Sequence, residues 1–375
     1  MDFNLSEEQR QLRDGAARFI REQYPFEKRR RLAEERGFSP RMWEQFAELG
    51  WLALGLPEEV GGLGCSFVES ALLAEEFGRG LVLEPFVTTT VLCARLVERS
   101  TAFAHRATVL GEVAEGKLIL ALAHAETQGR YSLQAPRTTA APSDAGAWRL
   151  SGLKTLVAGA PFAQRLIVSA THDGETALFL VDAQTPGLTL RPYALIDGTR
   201  AADVVLDNVA VPAGDVLCRG AETVGILEDA LDRANLALAA EALGCMEAVM
   251  EITSEYLKTR QQFGQPIGHF QALQHRMSEM FVEAQEARSA VYRGLAAIDT
   301  GDLSERCTAV SAARVSVSAA GRMIGEQGIQ LHGGIGMTDE YSVGHYYKRL
   351  LVIEKLFGDS DWHLDRYIAI QRAAA

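Results

Sequence analysis

Two changes of hydrophobic periodicity divide this chain of 375 residues and limit the folds open to it. Up to about residue 115 the apolar side chains recur at helical spacing, as they do between Leu12 and Ile20. From Gly116 to about residue 220 the apolar runs are short, β-branched and partly alternating, and turn signals such as Asp173-Gly174 separate them. Helical spacing returns from about Ala221 onward. We therefore expect a helical segment, a β segment and a second helical segment.

The first segment carries clear helix signals. Ser6 followed three residues later by Gln9 matches a capping box, in which each side chain bonds the other residue's backbone. A glycine-rich stretch at residues 55–64 separates two of the later helical patterns. The further predicted helices cover residues 40–49, 66–77 and 88–99.

The middle segment predicts a small antiparallel β-barrel or sandwich. Its apolar runs are regularly spaced and are bounded by turns that contain glycine or proline. The predicted strands cover residues 165–170, 176–183, 188–193 and 201–212.

The last segment predicts an antiparallel helical bundle. Its helical patterns are long, at residues 222–259, 270–300 and 304–331, and they are rich in Ala, Gly and Ser. Small residues on one face allow helices to approach closely. The expected fold class is therefore α+β, with a helical domain at residues 1–115, a β domain at 116–220 and a helical bundle at 221–375.

The composition excludes several classes of function. The net charge is −12, and no basic stripe stands out, which argues against nucleic acid as a partner. No apolar run reaches the roughly 20 residues of a membrane helix, and the charged N-terminus is no secretory signal. The five cysteines share no CxxC spacing, which argues against a disulfide framework or metal site and fits reduced thiols in a cytoplasm.

Three stretches carry chemistry beyond architecture. "RQQFGQPIGHFQALQHR" (260–276) offers an arginine fork for phosphate oxygens, an aromatic plane and an amide at a helix end. "IQLHGGIGMTDEY" (329–341) is a helix followed by a Gly-Gly loop. Both stretches also match ordinary helix caps. "AHAETQGRY" (123–131) with "LSGLKTLVAGA" (150–160) lies in the β segment and says little alone.

In order and spacing these stretches resemble the acyl-CoA dehydrogenase family over essentially the whole chain. The resemblance is closest to the small subunits of heteromeric members, of the pimeloyl-CoA and steroid side-chain type. It implies an N-terminal helical domain, a middle β domain and a C-terminal four-helix bundle. It also implies FAD held between subunits, α,β-dehydrogenation of an acyl-CoA thioester and electron-transferring flavoprotein as the acceptor.

The resemblance also implies roles for particular residues. Those expected to bind FAD are Arg260, Gln262 and Phe263 across a dimer interface, Gln330, Gly333 and Gly334 along the same nucleotide, Ser360 near its phosphates, and the retained Glu126. The residues expected at the flavin ring differ from the family pattern, because Ala125 and the stretch 156–158 replace side chains that usually contact it. The bundle motifs match the family pattern, whereas the flavin-ring motifs do not. This difference predicts a subunit that contributes residues to the FAD site of a partner.

The usual catalytic base is missing at both family positions. Gly358 stands where most relatives carry a glutamate, and Ala234 occupies the position used by another branch. Two carboxylates are candidate replacements: Asp359, which also matches the N-cap of the terminal helix, and Glu241, which also matches a buried residue bonded within the bundle.

Several functions therefore remain open from the sequence. The leading hypothesis is an FAD-dependent acyl-CoA dehydrogenase subunit whose larger partner, as in a heterotetramer, supplies the glutamate. The alternatives are a self-sufficient homomer that associates through the bundle, a non-catalytic structural subunit, and another flavin chemistry such as nitroalkane oxidation.

Overall fold

A computed structural model describes residues 4–134, 136–143 and 146–374, so residues 1–3 and 375 of the expected domain bounds lie outside the described residues. The expected order of helices, strands and helices is confirmed. The helices before the sheet are α1 (Glu7–Gln23), α2 (Phe26–Glu35), α3 (Pro40–Glu48), α4 (Phe67–Gly80), α5 (Ala94–Arg99), which follows a π-helical stretch at Val87–Cys93, and α6 (Arg106–Ala114). Ser6 and Gln9 form the predicted capping box at the start of α1.

The middle of the chain forms eight strands. They are β1 (Leu120–Ala123), β2 (Thr139–Pro142), β3 (Trp148–Ala158), β4 (Arg165–His172), β5 (Glu175–Asp182), β6 (Leu188–Ala194), β7 (Arg200–Val211) and β8 (Val216–Arg219). The sheet runs in the order β6-β7-β3-β2-β4-β5-β8, and β1 also pairs with β4.

The expected antiparallel pairing is wrong for two strands beside β4, in the interior of the sheet. Both β1 and β2 run parallel to β4, with Ala123 opposite Val168 and Thr139 opposite Thr171. The chain leaves β4 after Ala123 and pairs with it again at Thr139, while β4 advances by only three residues. β1 and β2 therefore lie along the same side of β4 in the same direction, and the periodicity does not reveal the interruption between them.

The C-terminal part consists of five long or medium helices and a small hairpin. They are α7 (Glu222–Thr259), β9 (Gln261–Gln262), β10 (Gln265–Pro266), α8 (Gln271–Ala297), α9 (Leu303–His332), α10 (Val343–Lys355) and α11 (Ser360–Ala374). The predicted bounds of α7 are confirmed, and those of α8 and α9 agree to within a few residues. Within the described residues, no helix is long and apolar enough to cross a membrane.

Internal contacts divide the chain into two compact units. The bundle unit contains residues 4–31, 67–82 and 235–374, and the β unit contains residues 32–66 and 83–234. The bundle unit therefore combines α1 and α4 with most of α7 and with all the later helices.

Two glycines allow α4 and α7 to touch through their backbones. A Cβ added at Gly78 of α4 would lie 1.9 Å from the carbonyl oxygen of Glu241 on α7, and one at Gly244 of α7 would lie 1.8 Å from that of Glu75 on α4. Neither space admits any side chain, because real Cβ atoms do not approach a carbonyl so closely. The small residues of the C-terminal segment predict a close approach within the bundle, whereas this contact joins α7 to α4 of the first segment.

Charged side chains line this contact inside the bundle unit. Arg288 of α8 donates to Glu75 at 2.9 Å and also bonds Glu247, which pairs with Arg79. Glu76 is only 5% exposed and lies 3.5 Å from the Arg79 guanidinium. Burial raises the pKa of Glu76 to about 7, although Arg79 opposes the shift.

We predict that Glu76→Gln raises the free energy of unfolding at pH 8 by on the order of 2 kcal/mol. The folded-state pKa lies above the unfolded value, so the proton bound by Glu76 stabilises the fold fully below about pH 4.5, and this stability is lost as the pH rises through about 7. Urea unfolding at pH 5 and pH 8 measures the effect against Glu286→Gln, an exposed control on α8. An identical pH dependence in both variants would contradict the prediction.

Candidate functional site

The hairpin after α7 presents the first group of candidate FAD residues. The Arg260 amide donates to the carbonyl of Tyr256 at 2.8 Å, which ends α7 and turns the chain into β9. Phe263 and Gly264 form the two-residue tip, with φ angles of 54° and 81°, as a type I′ hairpin requires. The Phe263 ring is 90% exposed. An aromatic side chain held outward on a left-handed turn is available to a ligand or partner.

The end of α9 presents the second group. Gly333 adopts φ 61° and ψ −139°, a conformation that only glycine enters readily. A Cβ at Gly333 or Gly334 would meet no atom within 4 Å. The backbone after Gln330 is therefore open to solvent on this side, and a ligand can approach it closely.

An aromatic cluster brings these two groups to the same end of the bundle unit. The His332 ring lies 4.5 Å from that of Tyr256 and 4.9 Å from that of Tyr341. Tyr256 is one helical turn before Arg260, and His332 directly precedes Gly333. Burial lowers the pKa of His332, and its Nδ1 faces the Gly328 carbonyl at 2.7 Å, so the neutral ring carries its proton there.

The loop between α10 and α11 carries the other candidates. The Asp359 carboxylate accepts a hydrogen bond from the Trp362 amide at 3.0 Å, so Asp359 is the N-cap of α11. Its second oxygen lies 3.9 Å from the Lys355 ammonium, and the residue is 7% exposed. Ser360 is the first residue of α11. These contacts agree with the capping alternative that the sequence offers for Asp359.

Gly358 occupies a closed position. Its φ is 131°, and a Cβ built there would lie 2.7 Å from Nε2 of His363 and 2.7 Å from a ring carbon of Trp362. His363 is fully buried, and burial together with the Arg314 and Arg366 guanidinia holds its pKa well below the usual range. The neutral imidazole therefore fills the space that a side chain at residue 358 would need.

Arg314 of α9 fixes the backbone that carries Gly358. Its Nη2 donates to the carbonyls of Ile353 at 2.7 Å and of Gly358 at 3.1 Å, and also to those of Glu354 and Leu356. Asn235 of α7 donates to the Phe357 carbonyl at 3.3 Å. Sequence reasoning missed this arginine, because its partners are backbone oxygens at and beyond the distant end of α10.

Glu241 is held in a buried ion pair. Nε of Arg349 on α10 donates to its carboxylate at 2.6 Å, and both residues are at most 9% exposed. Removal of either partner of such a buried ion pair would leave the other without its bond. The arrangement matches the bundle-bonded alternative for Glu241.

In the β unit, Glu126 anchors a buried polar network. Its carboxylate accepts hydrogen bonds from Lys154 Nζ at 2.7 Å, from the Thr138 hydroxyl at 2.7 Å and from the amides of Arg137 and Thr138. These donors hold the pKa of Glu126 at about 2 despite its burial. Lys154 and its network were missed by the sequence reasoning, which took Glu126 alone as a flavin residue.

The flavin-ring stretch is also bonded within the β unit. Leu156 has a φ of 52°, and its amide donates to the Tyr193 hydroxyl at 3.1 Å and to Asp203 at 3.3 Å. This amide therefore already has acceptors of its own.

Comparisons with known proteins match the whole chain. Models of the N-terminal, middle and C-terminal domains of acyl-CoA dehydrogenases match residues 6–117, 121–209 and 224–370. Isovaleryl-CoA dehydrogenase of Pongo abelii is 30% identical over 95% of this chain and 87% of that protein. Acyl-CoA dehydrogenase IpdE2 of Mycolicibacterium smegmatis is 29% identical over 94% and 96%.

Solved structures show the same likeness. A variant of the Tcur3481-Tcur3483 steroid ACAD has a TM-score of 0.88 and is 30% identical, with 98% of this chain and 99% of that chain covered. The ChsE4-ChsE5 complex from Mycobacterium tuberculosis has a TM-score of 0.89 at 24% identity, with both chains fully covered, which shows the fold alone.

We predict that Gly358→Ala lowers the free energy of unfolding by about 2–4 kcal/mol, from backbone strain and contact with His363. Gly358→Glu should be at least as unstable and should create no base. Urea unfolding measures both, with Gly15→Ala as the control, because that exposed helical position has no atom within 4 Å. A fully stable Gly358→Glu protein would show that the position is not closed.

Glu241→Gln should cost on the order of 3 kcal/mol of stability, because it removes the carboxylate partner of a buried arginine. Arg349→Gln should cost a similar amount, and Glu241→Leu combined with Arg349→Met should recover part of the loss. The measurements are urea unfolding and turnover of the flavin-loaded assembly. If a stable Glu241→Gln protein lost turnover about a thousandfold, Glu241 would instead be the base.

Proposed function

This chain belongs to the acyl-CoA dehydrogenase family, and we propose that it is a subunit of a heteromeric member that lends part of the FAD site to a larger partner. The family consists of FAD-dependent oxidoreductases that dehydrogenate acyl-CoA thioesters. Electron-transferring flavoprotein is the proposed acceptor.

The observation that carries the proposal is the separation of the candidate phosphate ligands along α9. Arg314 binds the Gly358 carbonyl, so Ser360 lies near the level of Arg314. The Gly333 and Arg260 groups lie at the level of His332, which is 18 residues further along the same helix, or ~27 Å at ~1.5 Å per residue. The two sets of candidate FAD ligands are thus far apart within one chain. This separation supports an FAD site that is formed by one set from each of two chains.

The residues at the bundle end fit the phosphates and adenosine of FAD. Arg260 supplies a guanidinium fork for phosphate oxygens, and the exposed Phe263 ring supplies a face for an adenine. Gly333 and Gly334 leave room for close backbone approach. When bound, FAD would accept a hydride from the substrate.

Among the described residues, the three candidate base positions are all closed or bonded, which supports the heteromer over the self-sufficient homomer. Gly358 is closed by His363, Asp359 caps α11, and Glu241 is paired with Arg349. Abstraction of the α-proton requires a base within about 2.6–3.2 Å of it. We infer that the partner supplies this base. The two-component steroid relatives suggest a partner of the same fold.

We predict that Arg260→Ala lowers FAD affinity by about tenfold to a hundredfold, as the loss of a charge-assisted hydrogen bond would. The visible absorbance of the purified chain, with and without its co-expressed partner, measures flavin content. Arg293→Ala, an exposed arginine on α8, is the matched control.

If the chain contributes to a partner's FAD site, the chain alone should bind little flavin. The complex of the chain with its partner should bind flavin stoichiometrically. A stoichiometrically yellow, active homomer would support the self-sufficient alternative and overturn the proposal. Unchanged flavin content in the assembled Arg260→Ala variant would remove the hairpin from the site.

A further inference from the structure

A histidine ties the connection between α9 and α10, residues 333–342, to α2 within the bundle unit. The connection begins with Gly333 and carries Asp339 near its end. His345, in the first turn of α10, donates from Nε2 to the Asp339 carbonyl at 2.9 Å. On the other side of the ring, Nδ1 lies 3.4 Å from Nη1 of Arg29 on α2. We call Arg29, His345 and Asp339 the histidine tether.

The histidine tether requires the neutral form of the His345 ring. A guanidinium only donates hydrogen bonds, so Nδ1 accepts from Arg29, and Nε2 carries the proton that it donates to the Asp339 carbonyl. Protonation of Nδ1 would remove the acceptor and place a second cation against the Arg29 guanidinium. His345 is 7% exposed and Arg29 is 1% exposed, so water screens this repulsion only weakly.

The charged groups around His345 come from three elements. Burial is the largest effect on the ring, and Arg29 of α2 and Lys348 of α10 act in the same direction, so that the pKa of His345 is lowered although Asp339 opposes the shift. The Asp339 carboxylate lies 3.4 Å from Nε2 of His345, and it is shared with Arg30 and Lys348, each at 3.8 Å. The ring is therefore neutral at pH 7 and becomes charged only in acid.

The tethered connection borders the residues that we assign to FAD. Asp339 and His345 line a cavity of about 490 Å³ together with Gln330, one of those residues. Gly333, another of them, opens the same short connection that Asp339 helps to close, and its backbone is accessible. The position of Asp339 therefore limits where the Gly333 backbone can lie.

We propose that His345 is a positioning residue for the FAD contacts at the bundle end and that its protonation releases them. The neutral ring holds Asp339, and with it the connection that carries Gly333, against α2. The charged ring loses the contact with Arg29, so the tether is present at neutral pH and is lost as the pH falls. The inference rests on the proposed function, because that function assigns Gly333 and Gln330 to the nucleotide.

Titration of flavin fluorescence, with the chain assembled with its partner, measures FAD affinity at pH 8 and pH 5. We expect the affinity of the wild type to fall about tenfold, which corresponds to about one unit of difference in the pKa of His345 between the FAD-free and FAD-bound states. His345→Gln keeps a donor and an acceptor and cannot be charged, so its affinity should stay within about twofold. His105→Gln, which changes an exposed histidine of the β unit, is the matched control and should show the wild-type fall.

Hydrogen exchange of the amides of residues 333–341 gives a second readout that does not depend on FAD. After correction for the intrinsic pH dependence of exchange, the flavin-free wild type should be less protected at pH 5 than at pH 8. His345→Gln should be equally protected at both values, and His345→Ala should be poorly protected at both. The wild-type measurement needs no variant, so it tests the inference even where a substitution disturbs folding.

The same fall of FAD affinity in His345→Gln as in the wild type would overturn the inference. Constant protection of residues 333–341 in the wild type, or release of these residues without a change in FAD affinity, would also overturn it. Arg260→Ala at pH 8 tests the FAD assignment separately, because it leaves the histidine tether intact. Unchanged FAD affinity in that variant would count against the proposed function, whatever the pH profile of His345.

Discussion

The backbone contact between α4 and α7 determines how the bundle unit is built. Gly78 and Gly244 each face a carbonyl oxygen of the other helix, so the axes come closer than any side chain would permit. The carboxylates beside these glycines, Glu75 and Glu241, are thereby carried into the interior, where an ionised group needs a bonded partner. The cations that meet this need are Arg288 of α8 and Arg349 of α10. A close helix contact and a buried network of ion pairs are two consequences of one packing constraint.

This network bears on catalysis, because it engages a carboxylate that the sequence offers as a base. Glu241 lies on the face of α7 that meets Arg349, and the pair is closed at 2.6 Å. The loop from α10 to α11 is fixed in a similar way, since Arg314 binds two of its carbonyls and two more at the end of α10, and His363 fills the space beside Gly358. Both places are built for packing and hydrogen bonding, whereas the bundle end near Arg260 is open and exposes its aromatic ring. The chain thus combines an open bundle end, which we propose contacts the nucleotide, with closed positions at the candidate sites for a base.

In the β unit, a buried carboxylate and a buried ammonium neutralise each other. Glu126 and Lys154 neutralise each other under a loop that carries two further arginines, so that the positive charge is left at the surface. The amide of Leu156, in the stretch expected at the flavin ring, donates to Tyr193 and Asp203 in the same unit. The two places adjoin each other, because the Thr155 amide donates to the carbonyl of Ala125, which lies between His124 and Glu126.

The sequence by itself determined the helix–strand–helix order, the bounds of α7 and the capping box of α1. These features depend on hydrogen bonds and hydrophobic periods among neighbours in the chain, which a single sequence displays. It also offered the N-cap role of Asp359 as an alternative to catalysis. Only the tertiary structure decided that Glu241 meets Arg349, that His363 closes the position of Gly358, and that two strands separated by a loop run parallel to β4. Most of these contacts join residues that are far apart along the chain, and in one of them a side chain occupies the space next to a nearby residue. Local sequence patterns allow many such contacts, and tertiary packing selects among them.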